Sequence, residues 1–481
     1  MTRRAAPTLV AWGLCSLVAL SWALTIGRYG GPDEPAHVVR AAAVANGELV
    51  GKPAPDLEPG YRFVEVPRSI ASGDPACYRH DARTDASCAV ASARHDPVSA
   101  ATSAGTFPPT YYAGIGLPAR LVGVAHHSLA HRVVAAIAVA LALAVAYARL
   151  LAWPDRARAG LVWAGITPAA WFLTGVVNTN GLEIALLVLA WVLAAELLGA
   201  AEVTVPRHLA ALGAIGAAVI ALRPIAVTGV LTIGATLMVG LHPSRRPPRR
   251  DRALIGALGA LGGAAALVLA WWVAVGGQVR DSRGTLALDG SLLPAVLSGI
   301  DDTLIEAVRS LGWAEFTAPL PVLLVWVGFA GMSLAAVASS AEHRLRRAAL
   351  AWATCTVAAP LAFELLTARR IGLVWQGRYS VGSLIGIAAL GAIALQGRLR
   401  AVARLAPLLA SVASTITLWV TARRYISGLD GPWWPVRGSG WWPPIGPWLP
   451  LLAHTAAALT LALGLTRDRA VATTAPAGSA P

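Results

Sequence analysis

The chain has 481 residues, a formal net charge of +14, 56% apolar residues and only 13% charged ones. So little charge on so long a chain excludes a soluble globular protein and points to a polytopic, all-α membrane protein. The positive balance does not argue for nucleic acid, because the arginines gather in short segments between apolar runs, as topology signals do.

The first uncharged run, Thr8 to Gly27, is long enough to cross a bilayer as a helix. It lacks small-residue cleavage signals before Gly30 and reads as a retained span. Directly after it comes Gly31-Pro32-Asp33-Glu34-Pro35-Ala36-His37-Val38-Val39-Arg40. Pro35 suits a first helical turn and Gly47 a helix stop. Asp33, His37 and Arg40 fall at i, i+4 and i+7 on one helix face, a surface helix at the membrane boundary. Asp33 and Glu34 could equally do no more than cap that helix. Asp33 and His37 could share a metal ion, but two ligands do not make a site.

Residues 28–127 read as one large extracytoplasmic segment, loop-rich between about 51 and 106. Cys77 and Cys88 lie in it, and an oxidising compartment favours a disulfide between them. A zinc site with His80 and His95 has no standard spacing. Phe107-Pro108-Pro109-Thr110-Tyr111-Tyr112 opens a helix predicted to lie at the interface. Further spans are expected at about 129–151, 158–177, 181–200, 207–222, 224–241, 253–275, 318–338, 348–366, 379–396, 404–421 and 447–466, about twelve with the first. Arginines in 242–252, 342–347 and 398–404 place those segments, and both termini, in the cytoplasm. Residues 1–466 then form one membrane domain with further outer loops at 276–317 and 423–446, and 467–481 a disordered tail.

Arginines at the outer ends of spans (Arg223, Arg369, Arg370, Arg378) ask for an anionic partner, because a guanidinium donates paired bonds to phosphate; headgroup snorkelling is the plain alternative. Glu183 follows Asn178-Thr179-Asn180 at the start of a span and reads as a cap or as a second acidic group. The tryptophans Trp433, Trp434, Trp441 and Trp442 read as an interfacial belt or as a lid.

A first span followed at once by an acidic pair resembles the C-type glycosyltransferase superfamily, multi-spanning enzymes that use lipid-linked sugars. The Pro32-Asp33-Glu34-x-x-His37 segment resembles more closely the domain-of-unknown-function family 2142. So do Gln376-Gly377-Arg378-Tyr379, Leu311-Gly312-Trp313 before Pro319-Leu320-Pro321, and the late Arg424-Tyr425 pair. The resemblance spans about residues 8–450. It implies transfer of a sugar from a polyprenyl-phosphate carrier to a cell-envelope glycan or protein on the outer face of a bacterial cell membrane. It casts Asp33 and Glu34 as catalytic, and His37, Arg40, Arg223, Arg369, Arg370, Gln376, Arg378 and Tyr379 as substrate- or phosphate-binding. It leaves a divalent cation, Mg or Mn, as an option and names no metal ligand. A lipid or polymer transporter, or a silent carrier-binding or assembly protein, remains the alternative.

Overall fold

The computed structural model describes residues 2–57, 60–276, 292–434, 436–438 and 440–467; the side chains of residues 2–5, 295, 370 and 371 lie outside that description. The expected tail from 468 on, and residues 277–291 of the second outer loop, also lie outside it.

The protein is a polytopic helical membrane protein. Among the described residues nine helices are long and apolar enough to span a bilayer, from Ala6–Thr25 to Trp448–Thr466, and Pro224–Gly240 and Val381–Ala394 are shorter apolar helices. The helices fall where hydropathy placed them. The segment expected at 158–177 is broken into Arg156–Ala164 and Pro168–Thr174. Pro168 cannot donate to the preceding turn, and Thr167 caps the second piece by accepting from the Ala170 N–H at 3.2 Å. That break lets the second piece stand beside the Gly31–Asp33 turn instead of ending in lipid.

The first polar segment is more ordered than its composition suggests. Lys52–Pro53, Arg62–Pro67 and Pro97–Thr102 form a three-stranded antiparallel sheet, with Val64 opposite Ala100 and Val66 opposite Val98. Val64 and Val66 point inward and Glu65 outward, the period of two that a half-buried strand requires. The helix Glu34–Ala45 lies beneath this sheet and beside the helix Pro109–Leu121. It is therefore enclosed rather than superficial: ten of its twelve residues are buried. Tyr111 and Tyr112, expected at the membrane interface, are buried with it, while Leu117, Leu121 and Val122 face outward.

Cys77 and Cys88 are bridged, with Cα atoms 6.3 Å apart. Closing a loop of that size stabilises a fold by roughly 2–4 kcal/mol. The loop it closes is clamped at its base, where the wholly buried Arg424 donates to the carbonyl oxygens of Thr84 at 2.5 Å and Tyr78 at 2.9 Å.

Candidate active site: a strapped turn and an acidic–basic cavity

The turn between the first span and the helix Glu34–Ala45 is held carbonyl by carbonyl. The Tyr78 hydroxyl donates to the Arg28 carbonyl, and the Trp313 indole N–H to that of Tyr29 at 3.0 Å. The Tyr425 hydroxyl donates to that of Gly30 at 2.8 Å. The Glu34 N–H donates to Gly31 at 3.2 Å, and the Asn178 amide to Pro32 at 2.8 Å. Five successive acceptors are thus satisfied, four of them from elements scattered across the chain and that of Gly31 within the turn, which is how a short loop can be rigid without secondary structure. The strap explains why Asn178, Leu311-Gly312-Trp313 and Arg424-Tyr425 accompany the acidic pair in one chain.

Strapping forces Asp33 into a left-handed backbone, φ 59° and ψ 6°, and its side chain makes no capping bond to the helix that follows. Its carboxylate turns instead to Arg378, Oδ2 to Nη2 at 2.5 Å. Asp33 is half exposed and Arg378 largely covered. Both line a cavity of about 340 Å³ whose wall also includes His80, Phe172, Glu306, Trp313 and Gln376. Among the described residues four non-glycine positions have left-handed backbone, and three of them, Asp33, His80 and Ala314, line this cavity. Such conformations persist only where the surroundings over-determine them, and they gather at functional sites.

Each residue of Gln376-Gly377-Arg378-Tyr379 has a distinct place. Gln376 lines the cavity. Gly377 meets the helix Ile300–Arg309 so closely that a Cβ would stand 2.4 Å from that of Glu306, so no larger residue fits without moving the turn. Arg378 reaches Asp33. Tyr379 lies between two cations, with Arg378 at 5.1 Å and Arg223 at 4.4 Å from its ring centre.

Other expected site residues stand elsewhere. Glu34 is fully buried and does not line the cavity. It forms a two-pronged pair with Arg132, both bonds 2.6 Å, and accepts from the Gly31 and Val177 N–H groups at 3.1 Å. Arg223 is buried and paired with Glu183 at 2.8 Å, behind Tyr379. This places the charge of Glu183 against a cation and away from the cavity. Arg40, wholly buried, donates to the carbonyls of Leu49 and Phe107, and His37 meets the Tyr112 hydroxyl through Nδ1 at 2.8 Å. Both are turned inward because the sheet covers their helix. Arg369 is exposed, and the Arg370 side chain lies outside the described residues. None of the late-loop tryptophans lines the cavity; Trp434 stacks with Trp448 and packs on Trp419 instead. Reading by residue type overlooked Arg132 and Glu306. Arg132 looks like an ordinary charge at a span end, and Glu306 looks like one acid of several on a polar helix.

Among the described residues no three His, Cys, Asp or Glu side chains converge as ligands, and Asp33 and Glu306 each have an oxygen committed, to Arg378 and to the Gly377 N–H at 3.0 Å.

Burial pushes the His37 imidazole down to about 4; nearby Asp33 opposes this, and Arg378 and Arg223 add to it. Between that value and the ordinary ~6.5 the unfolded chain binds a proton that the folded chain does not. Stability is therefore expected to fall as pH drops through this window, by about 3 kcal/mol for this residue at ~1.4 kcal/mol per pH unit. Unfolding followed at pH 7 and pH 4 should show a shallower loss for His37→Gln than for the wild type; equal losses would remove His37 from the account.

Fold and site together define a membrane protein with a preorganised acid–base cavity at one end of its helices. The sequence matches the family described as "Predicted membrane protein (DUF2142)" over residues 15–390, and the chain belongs to that family. Comparison with curated proteins gives no match. Among solved structures the chain is similar to ArnT from Cupriavidus metallidurans bound to undecaprenyl phosphate, at 14% identity and a TM-score of 0.44, covering 96% of this chain and 75% of that one.

Proposed function

We propose that the protein transfers a sugar from a polyprenyl-phosphate carrier to an acceptor hydroxyl in the cell envelope, on the extracytoplasmic face of a bacterial cell membrane. The observation that carries this reading is the meeting of Asp33 and Arg378, 345 residues apart in sequence, in the wall of one cavity. A helix cap has no reason to seek that partner. A site that must hold a phosphate beside a proton acceptor does.

In the proposed reaction the carrier's phosphodiester takes over the guanidinium of Arg378, releasing Asp33. The acceptor oxygen attacks the anomeric carbon and its proton passes to the Asp33 carboxylate. The bond from anomeric carbon to phosphate oxygen breaks, and its electron pair leaves with the phosphate, which becomes a monoester with one more negative charge. Arg378 meets that developing charge, where a fixed cation is most effective. Tyr379, held between Arg378 and Arg223, keeps the guanidinium in place. No step passes through a metal.

Arg378→Gln should weaken binding of a short-chain polyprenyl phosphate to the purified protein at least about tenfold, since a charge-assisted bond to phosphate is worth roughly 1.5–3 kcal/mol. Unchanged affinity would remove the phosphate anchor. Binding without sugar transfer would favour the non-catalytic carrier-binding reading.

The proposed orientation is supported by the opposite end. There Arg149, Arg245 and Arg344 bind the 196–201 turn, and Arg158 and Arg400 share Asp155. The positive-inside rule puts this end in the cytoplasm. A single cysteine placed at exposed Val90 should react with a membrane-impermeant thiol reagent in intact cells; labelling only after lysis would reverse the topology and the site with it.

A further inference from the structure

We propose that Glu306 reads the transferred sugar, and that the cavity accepts a neutral or amino sugar and rejects a uronic acid. This rests on the donor-site reading above and goes beyond it by naming the class of sugar. The charged side chains in the cavity wall are Asp33, Glu306 and Arg378, with His80 the other titratable group. A donor phosphodiester brings one negative charge and takes Arg378. The two carboxylates are then left without a cation in the wall.

Cations just outside the wall have partners of their own: Arg79 packs on the Trp313 ring at 5.3 Å, Arg309 donates to the Thr317 hydroxyl at 2.6 Å, Arg223 is paired with Glu183 at 2.8 Å and Arg424 with Glu315 at 3.3 Å. A uronate would bring another anion into this space, and like charges placed together exclude a ligand strongly. Sugar hydroxyls do the reverse: a carboxylate only accepts, and a hydroxyl supplies the donor it lacks. An ammonium on an amino sugar would suit the same oxygens.

Glu306 is built for this. Its Oε2 accepts the Gly377 N–H at 3.0 Å, which leaves Oε1 without that bond. The close approach of Gly377 to the Ile300–Arg309 helix ties the position of Glu306 to the turn that carries Arg378. The separation of sugar reader and phosphate anchor is therefore set by one packed contact. A space of about 340 Å³ sits at the low end of ligand pockets, suiting one sugar ring with its phosphate better than an oligosaccharide.

The test is binding of four lipids of equal chain length to the full-length protein in nanodiscs: polyprenyl phosphate and its neutral hexosyl, amino-hexosyl and glucuronosyl diesters. The hexosyl and amino-hexosyl lipids are expected to bind at least about tenfold tighter than the glucuronosyl lipid. Glu306→Gln, which can still accept the Gly377 N–H, is expected to narrow that gap to about threefold or less. Equal binding of hexosyl and glucuronosyl lipids by the wild type overturns the inference without needing any variant. A gap that Glu306→Gln leaves intact, while the variant still binds polyprenyl phosphate, overturns the role of Glu306. If polyprenyl phosphate binds and the sugars are not distinguished, only this inference fails; if none of the four lipids binds, the donor-site reading fails with it.

Discussion

Asp33→Asn is expected to lower sugar transfer in membranes at least about a hundredfold while leaving the fold in place. General base catalysis is worth roughly 10²–10⁴, and asparagine cannot take a proton at neutral pH. The substitution is mild in every other respect. Asparagine matches aspartate in size and is among the few residues that tolerate a left-handed backbone, which this position adopts at φ 59°. No helix cap is lost, because the Asp33 side chain makes none. The ion pair with Arg378 does go, so Arg378 in the variant is free to bind phosphate. Carrier binding should therefore persist or tighten while transfer collapses. That split separates a base from a mere structural partner. Equal transfer by wild type and variant would sink the catalytic assignment and leave the carrier-binding reading ahead.

The second large effect is expected from Arg132→Met, and it is one of stability. Arg132 donates two bonds to Glu34 and further ones to the carbonyls of Ile26 and Gly27, each at 2.6 Å. It thereby satisfies carbonyls that the end of the first span leaves without helical partners. Glu34 is fully buried. Removing the guanidinium leaves a carboxylate without its cation in a dry interior, a change that costs roughly 3–5 kcal/mol. Glu34→Gln with Arg132→Met should recover part of that loss, because no bare charge remains, and the two sites should be strongly non-additive in a double-mutant cycle. Thermal unfolding of the four proteins in one detergent measures this. Additive effects would show that Glu34 and Arg132 act apart. On this account any loss of transfer in Glu34→Gln tracks loss of folded protein, in contrast to Asp33→Asn.

The two acids thus divide by one position in sequence. Asp33 precedes the helix in a strained turn and opens to the cavity. Glu34 begins the helix and points back into the protein. Residue type, spacing and neighbours are nearly the same for both, and a helical-wheel argument groups Asp33 with His37 and Arg40 rather than with Arg378. That grouping holds for His37 and Arg40 but not for Asp33, whose left-handed backbone sets it before the helix. What it could not supply is the cover: the sheet through Val64 and Val66, and the helix carrying Tyr112, turn the His37 and Arg40 side of the helix inward. The sheet itself was hard to read, since its long strands are six residues each and one is Ala- and Ser-rich.

The sequence by itself determined what depends on accumulated, local free energies. Runs of apolar residues must leave water and must satisfy their backbone within themselves, so the helical spans and their approximate limits are legible without any partner. The charge asymmetry of the loops is additive in the same way, and the proposed orientation rests on it. The turn at Asp33 could be located from its Gly, Pro and acidic residues, and Gln376–Tyr379 from its outward arginine. Only the tertiary structure decided which cation each acid meets. Arg378 faces Asp33, Arg132 faces Glu34 and Arg223 faces Glu183. Pairings across 40, 98 and 345 residues depend on distances of a few ångströms, and those are set by packing: a glycine at 377 that admits a helix, a broken span at 165–168, and four carbonyls strapped from afar.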